Sequence, residues 1–116
     1  MLHSLENKLD RDYKIAGVVV LYNPTSDIIK NIASYIKNIS HLYLVDNSEE
    51  SNEELINSIS DVSKFEFIHN QVNLGVAKAL NIAIEKATNA GFKYLLTMDQ
   101  DSYFEENALK KILLNL

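Results

Sequence analysis

The chain has 116 residues, 47% of them hydrophobic and 23% charged, with a formal net charge of -5 and no cysteine. That is material for one globular domain, which at this size buries somewhat under roughly 70% of its unfolded surface and needs no staples. The composition excludes disulfides, thiolate metal sites and a cysteine nucleophile, fits a reducing compartment with the cytoplasm as the expected location, and leaves no basic stripe for nucleic acid or an anionic membrane.

Residues 1–13 are polar and mixed in charge, unlike a signal-peptide core or a membrane anchor, and read as a tail or one short helical turn. No stretch approaches the roughly 18 apolar residues of a membrane span. From residue 14 onward, short apolar runs alternate with amphipathic segments four times, the pattern of βαβαβαβα. The runs are Ile15 to Leu21, His41 to Val45, Phe65 to His69 and Tyr94 to Met98. Continuous apolar runs suit parallel strands buried on both faces.

After the first run, Ile28, Ile29, Ile32, Ala33, Ile36 and Ile39 recur at helical spacing, with Thr25 or Ser26 available as a cap. Ser51 and Glu54 have the spacing of a capping box that opens a second, shorter helix. Val76, Ala79, Leu80, Ala83, Ile84 and Ala87 form the clearest helical stripe, which Gly91 should end in a left-handed conformation. Ala108, Leu109, Ile112 and Leu113 mark a last helix starting near Glu105. The expected architecture is one α/β domain over residues 14–116, a Rossmann-like, mostly parallel sheet with helices on both faces. In such sheets ligands bind beyond the carboxyl ends of the strands.

All four of those ends are polar: Tyr22-Asn23-Pro24, Asp46-Asn47-Ser48, Asn70 to Gly75, and Asp99-Gln100-Asp101-Ser102. An extended backbone would turn Asp99 and Asp101 the same way, and two carboxylates so close suit a divalent cation such as Mn²⁺ or Mg²⁺, which takes one or two carboxylates plus phosphate and water oxygens. The alternative is that either aspartate caps the last helix or supports a turn. No glycine-rich phosphate loop follows the first strand, so a bound diphosphate would depend on such a cation for charge compensation. Asp46 has the chemistry to accept a hydrogen bond from a ribose hydroxyl or a pyrimidine imide, or it is a turn residue. Asn73 and Gly75 precede a helix whose free N–H groups favour an anionic or polar ligand, unless they are only its turn and cap. Lys78 either points toward phosphate or is solvated. His3, His41 and His69 lack ligand spacing and receive no role.

Taken together, Val18-Val-Val-Leu-Tyr-Asn-Pro24, Val45-Asp-Asn-Ser48, Asn73-Leu-Gly-Val-Ala-Lys-Ala-Leu-Asn81 and Met98-Asp-Gln-Asp-Ser102 resemble the N-terminal, nucleotide-sugar-binding half of family-2 glycosyltransferases with the GT-A fold. The Asp-Gln-Asp-Ser form and the Asn-Pro after the first strand look most like the bacterial rhamnosyltransferase branch, which builds surface polysaccharides from dTDP-rhamnose. The resemblance implies that Tyr22, Asn23, Pro24 and Asp46 contact the nucleoside, Asp46 through the base. It further implies that Asn73, Gly75 and Lys78 line the nucleotide site, that Asp99 lies near the ribose, and that Asp101, with Asp99 beside it, binds the metal bridging the diphosphate. Leu80 stands where many members carry Arg, and Ala83 where many carry Gly.

The implied reaction is inverting transfer of a sugar from a dTDP- or UDP-sugar to a saccharide or lipid-linked acceptor, at the inner face of the membrane in the full-length form. The family's general base lies further downstream, so it is expected beyond Leu116, and the chain reads as truncated; Glu105 and Glu106 suit the first turn of the last helix instead. A truncated α/β domain could also self-associate through an exposed sheet edge. The rival expectations are a non-catalytic module that binds a nucleotide or nucleotide sugar, and a nucleotidyltransferase, whose usual glycine- and arginine-rich loop after the first strand is missing.

Overall fold

A computed structural model of the protein describes residues 2–4, 15–59 and 62–115. Its sheet has five strands, β1 (Leu2–Ser4), β2 (Ile15–Leu21), β3 (His41–Asp46), β4 (Phe65–His69) and β5 (Tyr94–Asp99), in the order β1-β5-β2-β3-β4. β2, β3, β4 and β5 are parallel, and β1 runs antiparallel along β5. The α/β, mostly parallel architecture is thus as expected. Residues 2–4 form an edge strand rather than a tail or helical turn, while residues 5–13 of that expectation lie outside the described residues.

Alternation along the strands divides the core into two layers. Ile15, Val19 and Leu21 of β2 join Leu42, Leu44, Tyr94, Leu96 and Met98 on one face, covered by Ile28 and Ile32 of α1 (Asp27–Ala33), Ile56 of α2 (Glu53–Ile56) and Leu109 of α4 (Ala108–Leu114). Ala16, Val18, Tyr43, Val45 and Leu95 face the other way, against Ala79, Ala83 and Ala87 of α3 (Val76–Asn89). The alanine stripe lets α3 lie close on the sheet. Gly17 serves a similar end in β2, where a Cβ would stand 3.0 Å from the tips of both Ile39 and Met98.

Gly91 ends α3 as expected: at φ 85° it closes a Schellman motif, with Phe92 N–H donating to Ala87 O and Gly91 N–H to Thr88 O. Three local expectations give way to side-chain competition. The helix predicted through Ile39 stops at Ala33, because Ser34 Oγ donates to Asn31 O (2.6 Å) and accepts from Phe104 N–H (3.0 Å), and the chain re-enters only as a 3-10 turn at Ile36–Asn38. Neither Thr25 nor Ser26 caps α1 well: Ser26 makes no capping bond, and Thr25 Oγ1 takes Asp27 N–H at 3.4 Å. The Ser51–Glu54 capping box does not form either, since Asn52 sits at the N-cap of α2 with its side chain turned toward the preceding loop. α4 starts at Ala108, which leaves Glu105 and Glu106 in the turn before it.

The chain order sets where a ligand can enter. From β2 the sheet grows one way through β3 and β4, then α3 carries the chain back so that β5 pairs on the other side of β2. The strand order reverses between β2 and β5, and a crevice opens at that switch point, beyond the carboxyl ends of the strands.

Candidate functional site

A cleft of about 750 Å³ occupies this crevice. Val20, Leu80, Leu96, Met98 and Phe104 give it apolar walls, and Asn47, Asn73, Thr97, Asp99, Gln100 and Ser102 supply polar groups. Tyr22 and Val76, 52% and 63% exposed, also line it. An apolar pocket with a few convergent polar groups is the usual form of a small-ligand site. No Lys or Arg is among the described residues that line it.

The Asp-x-Asp segment is not extended. β5 ends at Asp99, and Ser102 N–H donates to Asp99 O (2.9 Å) while Asp99 N–H donates to Ser102 Oγ (3.0 Å), closing a turn over Gln100 and Asp101. The turn separates the two carboxylates that an extended backbone would have aligned. Asp99 lines the cleft, whereas Asp101 lines a second, small hollow of about 50 Å³ with Pro24, Asp27, Ile28 and Asn31. Among the described residues no group of three or more His, Cys, Asp or Glu side chains converges on one point. The described residues thus form no cage of such side chains for a divalent ion. The donor set fits an ion held by one or two carboxylates and completed by phosphate and water oxygens.

Asp46, fully buried, is not among the residues that line the cleft. Its Oδ1 accepts Ser48 N–H (3.0 Å), and its Oδ2 accepts both Asn52 N–H (2.9 Å) and Asn52 Nδ2 (3.0 Å). Ser48 Oγ in turn accepts Asn52 Nδ2 (3.1 Å) and the backbone N–H of Asn23 (2.7 Å), which adopts φ 44°. The carboxylate thus organises the loop after β3, and that loop fixes the one after β2. His69 Nε2 lies 2.9 Å from Ser48 O and ties in the end of β4.

A second chain of bonds reaches α3. Asn70 Nδ2 donates to Asn47 Oδ1 (2.7 Å), and Asn47 Nδ2 donates to the carbonyl of Gly75 (3.2 Å). Asn73 Oδ1 accepts Gly75 N–H at 2.9 Å. Gly75 takes φ 84° and ψ 160°, a region reserved for glycine, and this aims the start of α3 into the cleft. The unpaired first N–H groups of a 14-residue helix give that end a positive potential.

Of the residues singled out from sequence, the cleft gathers Tyr22, Asn73, Gly75 and Asp99. Pro24 and Asp101 stand at the smaller hollow, Asn23 engages the cleft's surroundings through its backbone, and Lys78 is exposed on α3 and not among the lining residues. Asn47 and Gln100 belong to the site and carried no role in the sequence. Their signal was only their place at polar strand ends; which of those side chains turn inward depends on turns that sequence does not specify.

Residues 18–116 match glycosyl transferase family 2. The dTDP-rhamnosyl transferase RfbF of Shigella flexneri is 31% identical over 100 residues, 84% of this chain and 33% of that protein. The hyaluronan synthase of Streptococcus pyogenes is 29% identical over 113 residues, 88% of this chain and 26% of that protein. An uncharacterized glycosyltransferase of Rickettsia bellii is 26% identical over 114 residues, 95% of this chain and 16% of that protein. The chain therefore spans a third or less of the length of these relatives.

Proposed function

This chain belongs to glycosyl transferase family 2, and we propose that it is the donor-binding part of a metal-dependent enzyme that transfers a sugar, with inversion, from a nucleoside-diphosphate sugar to an acceptor hydroxyl. The observation that carries this reading is the cleft at the switch point, which presents an exposed aromatic ring, a carboxylate and a helix N-terminus around one volume, with no cationic side chain among the described residues that line it.

Tyr22 offers a ring face to a pyrimidine base, with the loop of Asn23 and Pro24 beside it. Asp99 accepts hydrogen bonds from the ribose hydroxyls. Asn73, Gly75 and the first N–H groups of α3 stand where polar or anionic parts of the donor gain most. Lys78, exposed one turn into the helix, adds long-range charge rather than a contact. Asp46 acts on the base through the loop it holds. Because no described residue of the walls brings a positive side chain, a Mn²⁺ or Mg²⁺ ion held by Asp101, with Asp99 on the cleft side, would supply charge neutralisation of the diphosphate leaving group. With only one or two carboxylates to hold it, such an ion would need phosphate and water oxygens as well, and would therefore bind together with the nucleotide.

A dTDP- or UDP-sugar is the proposed donor and a saccharide or lipid-linked species the acceptor, in surface polysaccharide synthesis at the inner face of the membrane. Rhamnose as the transferred sugar is supported by the likeness to RfbF and by the Asp99-Gln100-Asp101-Ser102 form. Among the described residues no helix is long and apolar enough to cross a membrane. The test is amide-shift mapping with UDP and dTDP in the presence of Mg²⁺. Shifts centred on Tyr22, Asn73, Gly75 and Asp99 are expected, and shifts centred elsewhere would remove the assignment of this cleft.

A further inference from the structure

The middle residue of Asp99-Gln100-Asp101 makes contacts that the donor reading does not use. Tyr22 is the first residue beyond β2, and the β2–β5 pairing ends at Val20 opposite Asp99. Past that point the Gln100 side chain takes over. Its Oε1 accepts the backbone N–H of Tyr22 at 2.9 Å, and its Nε2 donates to the carbonyl of the same residue at 3.2 Å. A primary amide that serves both backbone groups of one residue reproduces the two-bond pairing of a sheet ladder with a side chain. The backbone of Gln100 is anchored as well, because its carbonyl accepts Asn31 Nδ2 of α1 at 3.0 Å. Tyr22 and Gln100, 78 residues apart, are thereby joined where the strand order reverses and no backbone ladder continues.

We propose that Gln100 is a positioning residue: its side-chain amide latches the backbone of Tyr22, so that the aromatic side of the cleft and the Asp99–Ser102 turn hold one relative placement. The consequence for ligand binding rests on the donor-site reading, whereas the latch itself does not. Only an amide of this length supplies both bonds. Glutamate keeps the acceptor for Tyr22 N–H and loses the donor, and methionine keeps the bulk and loses both.

The test combines amide hydrogen exchange on the full chain with calorimetric titration of UDP plus Mn²⁺, in the wild type, Gln100→Met and Gln100→Glu. Exchange at the Tyr22 amide is expected to rise about tenfold in Gln100→Met and to stay within about threefold of wild type in Gln100→Glu, with central β3 amides unchanged in both. UDP affinity is expected to fall about fivefold or more in Gln100→Met. If Gln100 serves only by filling space, Gln100→Met will exchange like the wild type, and the latch is overturned. Faster Tyr22 exchange with unaltered UDP affinity overturns the positioning role. A wild type that binds no UDP overturns the donor reading and the positioning role with it, and the exchange result still decides the latch.

Discussion

Replacing Asp46 with alanine separates a ligand contact from a loop organiser. The substitution removes an acceptor, held without solvent exposure, for Ser48 N–H, Asn52 N–H and Asn52 Nδ2. A hydrogen bond to a charged group contributes about 1.5–3 kcal/mol, and each buried donor left unpaired costs about 1–3 kcal/mol. The three bonds share one carboxylate and one asparagine, so they do not add, and a loss of about 3–5 kcal/mol is expected. That is a large part of the stability of a domain this size, about 5–15 kcal/mol. Asp46→Asn keeps one acceptor but presents an amide N–H to the same donors, and should lose about 2–3 kcal/mol. Urea unfolding followed by circular dichroism reads both values. If Asp46→Ala unfolds within about 1 kcal/mol of the wild type while nucleotide affinity collapses, Asp46 touches the ligand directly and the loop-holding role is refuted.

Gly75→Ala should destabilise by about 1–3 kcal/mol and weaken nucleotide binding, since φ 84° with ψ 160° strains any side chain although nothing lies within 4 Å of the new Cβ; urea unfolding and calorimetry measure the two effects. Gly17→Val should cost about 1–3 kcal/mol by overpacking against Ile39, Leu42 and Met98, and a thermal midpoint equal to wild type would contradict that packing. Tyr35→Phe should be neutral or stabilising by up to about 1 kcal/mol, because the hydroxyl is buried without a hydrogen-bond partner among the described residues; a clear loss of stability would reveal a partner. His41, against Tyr43 and Phe92, has its pKa lowered from 6.5 by burial, with Glu66 partly opposing the shift. The unfolded chain then binds the proton first, so stability from this group is present above about pH 6.5 and is lost as pH falls through the lower folded value. Unfolding of wild type and His41→Phe between pH 5 and 8 should diverge in that direction, the variant lacking the step.

β2, β3 and β5 were legible because parallel strands buried on both faces leave continuous apolar runs, and the half-buried edge strand β4 because Phe65, Phe67 and Ile68 still mark it: the predicted spans of β2 and β4 coincide with the observed ones, and β3 and β5 each extend one residue further, to Asp46 and Asp99. Gly91 was legible for a similar reason, since few other residues end a helix at positive φ. The breaks were less so. The isoleucine spacing past Ser34 satisfies a helix and a 3-10 turn alike, and only the tertiary bond to Phe104 N–H decides between them. Within the site, Tyr22, Asn73, Gly75 and Asp99 could be placed from strand ends alone. Asp99 and Asp101 were expected to point the same way by two-residue periodicity, but that holds only while the strand lasts, and Ser102 closes a turn that ends it. Asp46 was placed on the correct edge but its side chain takes the loop's donors, a choice fixed by Asn52 six residues away.

The central claim is that a nucleoside diphosphate and a divalent ion bind this cleft together through the Asp99–Asp101 segment. Calorimetric titration of UDP and dTDP with and without Mn²⁺, on wild type and Asp101→Ala, tests it most directly. The account predicts nucleotide binding that Mn²⁺ strengthens about tenfold or more, little Mn²⁺ binding without nucleotide, and loss of the metal effect in Asp101→Ala. Nucleotide affinity indifferent to both the metal and the substitution would contradict it.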